Sequence, residues 1–279
     1  MISNIISRET QMKVLEDEKF YNYQGEDRII SHRDQAKEFD NLPTNVFKAE
    51  TFFPYLNELV EGFEEGEVWV VSGKTKSGKS LLCQTLARDF SIKGLPSVFF
   101  NFEISPKQFL KRFNGDIPEH TYTPRRLKTA AMDWVEDRIK EAVVKKNIKV
   151  YFLDHLHYLI DLVQMQNSSI KIGSIVRQLK LMAIKHEVIV FLVAHTGKVP
   201  DGQEPTAENI RDSSLICQES DGTLMLWRLK DNNETDEQKR NLNNTMLRVE
   251  MTRRTGVYGK KIKLVKNERG LFGEVNWRE

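Results

Sequence analysis

The sequence predicts an α/β fold: a central, mostly parallel sheet with helices on both faces and antiparallel strands at its C-terminal end. Short β-branched runs alternate with amphipathic stretches between residues 68 and 195, the pattern of a parallel sheet buried on both faces. A glycine-rich turn sits between the first strand-like run and the helical stretch after it. Beyond residue 221 helical periodicity fades, and three strand-like runs follow one another.

Residues 1–50 mix charged, polar and aromatic groups without sustained periodicity and read as an extension, with one short helix expected over Ser31–Phe39 from a serine cap. Residues 51–279 read as one large domain. In it Phe52, Leu56, Leu59 and Val60 fall at helical spacing, and Gly62 and Gly66 then mark turns. Val68–Val71 reads as a buried strand, Lys79–Phe90 as a helix, Val98–Phe102 as a strand and Pro106–Phe113 as a helix. Met132–Lys146 is an amphipathic helix, with Trp134, Ile139 and Val143 among its apolar positions. Val150–Leu153 is a strand, Ile170–Lys185 a helix and Val188–Ala194 a strand apolar on both faces. Thr223–Trp227, Leu247–Thr252 and Lys261–Val265 supply the late strands, with a polar loop over Lys230–Asn244.

The 279 residues are 39% apolar, enough for a substantial core. Lysine and arginine number 42 against 40 acidic residues, so bulk charge gives no reason to expect a polyanionic partner. Cys83 and Cys217 stand far apart without metal-type spacing, which fits free thiols in a reducing compartment. No stretch reaches the length of a membrane span and the N-terminus is polar, so a cytoplasmic protein is expected, in a bacterium or a phage-infected cell.

The chemistry starts at Gly73-Lys74-Thr75-Lys76-Ser77-Gly78-Lys79-Ser80, a complete G-x-x-x-x-G-K-[ST] pattern. Between a strand and a helix, its backbone N–H groups and the helix N-terminus can wrap a phosphate, with Leu81 completing the turn. ATP and Mg2+ are the expected ligands. Lys79 would reach the β- and γ-phosphates, and the Ser80 hydroxyl would ligate the metal. A second carboxylate is needed for the ion, and Asp154 follows Val150–Leu153. Hydrolysis further requires a group that orients or deprotonates water. Glu103 is the candidate, because parallel strands deliver their carboxyl ends to the nucleotide edge. His195, at the matching end of Val188–Ala194, can hydrogen-bond a γ-phosphate.

These motifs in this order resemble the motor domain of DnaB-type hexameric replicative helicases, a RecA-like P-loop ATPase. The resemblance rests on Glu61-Gly62-Phe63-Glu64-Glu65-Gly66-Glu67, Phe102-Glu103-Ile104-Ser105, Asp154-His155-Leu156, Ile210-Arg211-Asp212-Ser213-Ser214 and Gln218-Glu219-Ser220-Asp221, and spans Thr51 to the C-terminus. It implies Glu103 as catalytic glutamate, Asp154 as Walker B aspartate, His195 as polar sensor and an arginine finger near Met251–Gly256. Anchoring on Arg-x-Thr-Gly favours Arg253, whereas Lys-x-Arg-x-Gly favours Arg254. The second is preferred, with Thr252 then replacing the family's lysine.

The resemblance also implies single-stranded DNA as a partner, contacted by loops at Gln164–Lys171 and Gly197–Asn209. Lys171 and Lys198 are the candidate cations there, with Arg177 and Lys180 on the following helix. It implies self-association into a hexameric ring or helical oligomer, and Ser31–Leu42 as a helix that docks on the next subunit. Primase or another replication protein is a further partner class, although no N-terminal helical domain or primase domain is expected in this sequence. A RecA- or KaiC-like assembly or recombination protein, or a nucleotide-gated loader without processive unwinding, stays open as an alternative.

Overall fold

The computed structural model describes residues 22–25, 27–40, 46–127, 132–159, 168–197, 199–200, 203–210, 213–229 and 245–275. The chain divides into two compact units, Met1–Val46 and Phe47–Glu279. In the first, helix α1 (His32–Asp40) begins beyond Ser31. The Ser31 hydroxyl accepts the Asp34 N–H at 3.1 Å, satisfying a donor that the first helical turn leaves over.

The second unit opens with β1 (Lys48–Ala49), α2 (Pro54–Val60) and β2 (Phe63–Glu64), β1 and β2 pairing antiparallel. The main alternation follows: β3 (Val68–Gly73), α3 (Lys79–Ile92), β4 (Ser97–Asn101), α4 (Pro106–Lys111), β5 (Thr121–Tyr122), α5 (Met132–Lys146), β6 (Val150–Asp154), α6 (Ser168–His186), β7 (Ile189–His195) and α7 (Ser213–Glu219). Strands β8 (Gly222–Arg228), β9 (Thr245–Thr252), β10 (Tyr258–Lys266) and β11 (Phe272–Val275) complete it. The nine-stranded sheet runs β11-β10-β9-β8-β3-β7-β6-β4-β5, parallel from β8 to β5 and antiparallel from β8 to β11. This is the expected α/β architecture with its antiparallel C-terminal end. The polar loop expected over Lys230–Asn244 lies outside the described residues.

Alternation along the strands builds two cores, one per face. Val68 and Val70 pack with Phe100, Leu153, Val190 and Leu192 beneath Val135 and Ile139 of α5 and Val176 and Leu179 of α6. Trp69 and Val71 face the other way, with Phe99, Phe152, Phe191 and Val193, against α2 and Leu82, Leu86 and Phe90 of α3. Phe152 stacks on Phe191 with ring centroids 4.9 Å apart. Each such buried side chain stabilises by about 1.5–3 kcal/mol relative to exposure. Packing therefore fixes β3, β6, β7 and β4 side by side with their carboxyl ends on one edge.

Candidate functional site

Strand order changes sense about β3, which leads to β4 on its β7 side while β7 crosses over to β8 on the other side, both neighbours of β3 being parallel to it. The crevice outside such a switch point is where open α/β sheets bind ligands. The turn from β3 to α3 occupies it. Gly73 has φ 152°, and a Cβ there would stand 2.1 Å from the Leu226 carbonyl oxygen, so only glycine fits. Lys76 (φ 62°) and Gly78 (φ 98°) adopt left-handed backbone, and the Ser77 N–H donates to the Lys74 carbonyl at 3.1 Å. Thr75 and Lys76 are exposed at the tip, while Ser80 and Leu81 are half-buried in the first turn of α3. The Leu81 side chain packs on the core, leaving its backbone N–H as the group able to meet a phosphate.

Lys79 is buried, and its ammonium donates to the carbonyls of Gly73 at 3.0 Å and Lys74 at 3.1 Å. Burial pulls its pKa below the usual lysine value, opposed by the negative charges of Asp154 and Glu103. The Asp154 carboxylate accepts a hydrogen bond from the hydroxyl of Ser80, the residue next to Lys79 in the chain. Asp154 ends β6 opposite Asn101 of β4. Burial pushes its carboxyl up to about 6; the Ser80 hydroxyl bond pulls down, Glu103 pushes up, and Arg112 and Lys79 pull down. Asp154 Oδ1 and Ser77 Oγ are buried without a hydrogen-bond partner among the described residues. Orphaned buried oxygens are costly, and their position fits the oxygen ligands that a magnesium-bound triphosphate needs. Ser80 and Asp154 are the residues able to hold the cation.

Glu103 stands two residues beyond β4, on a turn held by Asn101: its amide donates to the Ile104 carbonyl at 2.9 Å, and its carbonyl oxygen accepts the N–H groups of Glu103 and Ile104 at 3.3 Å. The Glu103 carboxylate is exposed toward the crevice mouth, 3.9 Å from Nδ1 of His155. His195 pairs in register with Gly73, and its ring centroid lies 4.3 Å from that of His155 in an edge arrangement. Thus Glu103, Asp154 and His195 gather beside Lys79. The sequence pattern includes His155 in a motif without giving it a role; its position one residue past a strand-end aspartate is the available signal.

A second feature is not legible in the sequence either. Lys74 Nζ donates to the carbonyls of Pro200 at 3.4 Å and Gln203 at 2.9 Å. Residues 204–207 are gripped from the sheet side, where Arg248 bonds Glu250, Glu204 and the Pro205 carbonyl, and Glu250 accepts the Ala207 N–H at 3.0 Å. Arg248 and Glu250 are buried two residues apart on β9, so the strand turns both toward one face.

The two arginines after β9 differ sharply. Arg254 is caged within its own chain: it bonds Glu67 at 2.8 Å and the carbonyls of Val60 and Gly62 at 2.8 and 2.6 Å, and pairs with Glu64 at 3.3 Å and Glu61 at 3.6 Å. Arg253 is exposed and forms no ion pair with any described residue. The side chain of Arg254, preferred from the sequence as the outward-reaching cation, is thus bonded within its own chain, whereas that of Arg253 is exposed.

Of the candidate DNA cations, Lys198 lies outside the described residues. Lys171 sits on helical backbone, since α6 starts at Ser168 and not after a loop reaching residue 171. Arg177 is exposed but forms a fork with Glu219 on α7. Lys180 bonds Asp221 at 2.7 Å and the Gly66 carbonyl at 2.8 Å at the opposite edge of the sheet, a structural tie and not a free cation.

A phosphate-wrapping turn after the first central strand, with a strand-end aspartate beside it, defines a P-loop nucleotide-binding ATPase domain. The chain belongs to the AAA-domain family, whose model matches residues 34–201. It is also a distant homologue of the replicative helicase DnaB. A probable replicative DNA helicase of Trieres chinensis is 26% identical, matching 66% of this chain and 48% of that protein. DnaB of Leifsonia xyli subsp. xyli (strain CTCB07) is 25% identical over 71% of this chain and 50% of its own. The chain spans about half the length of these relatives. Its fold is RecA-like: it superposes on a solved ATPase domain with a TM-score of 0.70 at 15% identity, covering 88% of this chain and 97% of that one. A DnaB-like replicative helicase, solved to show its interactions with primase, gives 0.69 at 14% identity, covering 96% of this chain and 72% of that one. No helix among the described residues is long and apolar enough to cross a membrane.

Proposed function

We propose that this chain is a DnaB-type motor that hydrolyses nucleoside triphosphate between subunits and moves along single-stranded DNA. The observation that carries the reading is the gathering of Glu103, Asp154 and His195 around the turn that holds Lys79. In it Lys79 leaves the Gly73 and Lys74 carbonyls for the β- and γ-phosphates, a short displacement for a side chain already in the turn. Backbone N–H groups of residues 74–81 cradle the phosphate oxygens. Ser80 and Asp154 hold Mg2+, which when bound neutralises phosphate charge. Glu103 orients and deprotonates the attacking water, and His195 donates to the γ-phosphate.

Arg253 supplies a cation to a neighbouring subunit's nucleotide, which is why self-association into a hexameric ring or helical array belongs to the same proposal. Single-stranded DNA runs past the loop at residues 197–209, which Lys74 ties to the nucleotide turn through the carbonyls of Pro200 and Gln203. Primase is the partner class to test after DNA, and the cytoplasm is where such a motor would work. The experiment is hydrolysis by wild type and Lys79→Ala, with and without single-stranded DNA, then unwinding of a forked duplex. DNA-stimulated hydrolysis with strand separation, both lost in the variant, is the expected result. Stimulated hydrolysis without strand separation would favour a RecA- or KaiC-like assembly protein, and turnover indifferent to DNA would favour a loader.

A further inference from the structure

Beside the oxygen donors Ser80 and Asp154, the same sheet edge carries a donor set of different chemistry. One ring nitrogen from each of His155 and His195 and one carboxylate oxygen of Glu103 all lie within 4.8 Å of one another. Strand order enforces the grouping: Glu103 follows β4, His155 follows β6 and His195 ends β7, and these three strands are parallel neighbours. Both histidines are half-buried and Glu103 is exposed, so an ion has an approach from solvent.

Imidazole nitrogens with one carboxylate suit Zn2+, Co2+ and Ni2+, whereas Mg2+ favours an all-oxygen octahedron. We propose that Glu103, His155 and His195 form a second cation site, for a borderline first-row divalent ion such as Zn2+, and that its occupancy arrests hydrolysis. Three protein ligands leave a fourth position to solvent, a known zinc arrangement. Bonds of about 2.0–2.2 Å put tetrahedral ligand atoms roughly 3.4 Å apart, so side-chain rotations of about 1 Å close the triad on an ion. The arrest rests on the reading under Proposed function, because the ion takes the lone pairs of Glu103 and the imidazole of His195 that catalysis uses. The binding itself does not depend on that reading.

Cobalt tests the two separately. Nucleotide-free full chain is titrated with Co2+ in excess Mg2+, following the visible d–d bands of the bound ion. Saturable binding is expected, reversed by Zn2+, weakened about tenfold or more by His155→Asn and by His195→Asn, and unchanged by Ser80→Ala, with circular dichroism confirming that each variant folds. Equal affinity in the histidine variants, or displacement of Co2+ by Mg2+, overturns the site. Hydrolysis is then measured with Zn2+ added: arrest over the same Zn2+ range that displaces Co2+ supports the second half. Saturated binding with undiminished turnover overturns it, and removes Glu103 and His195 from the chemistry while leaving the site standing.

Discussion

The two edges of the parallel sheet treat their carboxylates differently. At the amino ends, charged groups are tied within the chain: Lys180 to Asp221 and the Gly66 carbonyl, Asp221 to the Val68 N–H, and Glu67 to the Trp69 indole and Arg254. At the carboxyl ends a carboxylate oxygen, Asp154 Oδ1, is buried without a partner among the described residues, as is Ser77 Oγ; at the amino ends the hydroxyls of Ser97 and Ser220 share that state, but the carboxylates of Glu67 and Asp221 are bonded. A bonded buried carboxylate helps hold a fold together, whereas one with an unpaired oxygen costs more stability than an unpaired hydroxyl. The amino edge ties its carboxylates to strand β3, and the carboxyl edge leaves an oxygen of Asp154 unpaired beside the turn that holds Lys79.

Arg253 and Arg254 give the largest expected contrast. Arg253→Ala should lower turnover of the assembled protein by about 10³–10⁵-fold, the range for loss of an arginine finger, with thermal stability unchanged. Arg254→Ala should instead cost about 2 kcal/mol of stability, because buried Glu67 loses its cation while the site remains intact. Steady-state hydrolysis and thermal melts on both proteins decide it, and the reverse pattern would return the outward role to Arg254.

Next is the clamp on β9. Arg248→Ala leaves Glu250 buried and unpaired, with an expected loss of about 3–5 kcal/mol, whereas Arg248→Met combined with Glu250→Leu should recover most of it. Urea melts measure both, and equal losses in the single and double variants would contradict a paired clamp.

The smallest effect is in pH dependence. Burial raises the Asp89 carboxyl to about 6, above the value near 3.9 of an unfolded chain. Its contribution to stability is fully present below about pH 4 and lost as pH rises through about 6. At about 1.4 kcal/mol per pKa unit the loss reaches at most about 3 kcal/mol. Asp89→Asn should therefore be more stable relative to wild type at pH 8 than at pH 4. Denaturant melts at both values test it, and a pH-independent difference would show that Asp89 does not titrate in this window.

Where a physical signal is local, the sequence disclosed it. Met132–Lys146 carries its own periodicity and matches α5 at both ends, and the phosphate turn needs glycines that any reader of the chain can see. Glu103 and Asp154 were legible because each ends an apolar run. The two-residue strands β1, β2 and β5 are too short to show alternation, and β11 is packed by partners elsewhere in the chain. The two arginines could not be separated locally, since Arg254 is captured by Glu67, 187 residues away. Arg248 and Glu250 did leave a trace, two opposite charges at strand spacing in an apolar run, but their partners in residues 204–207 come only with the fold.

Glu103→Gln tests the central claim most directly, with nucleotide affinity and single-turnover hydrolysis measured on the same preparation. The account predicts near wild-type affinity and hydrolysis slowed by about 10²–10⁴-fold, the contribution of a positioned general base. Hydrolysis within a few fold of wild type would place the water-activating group elsewhere and contradict the account.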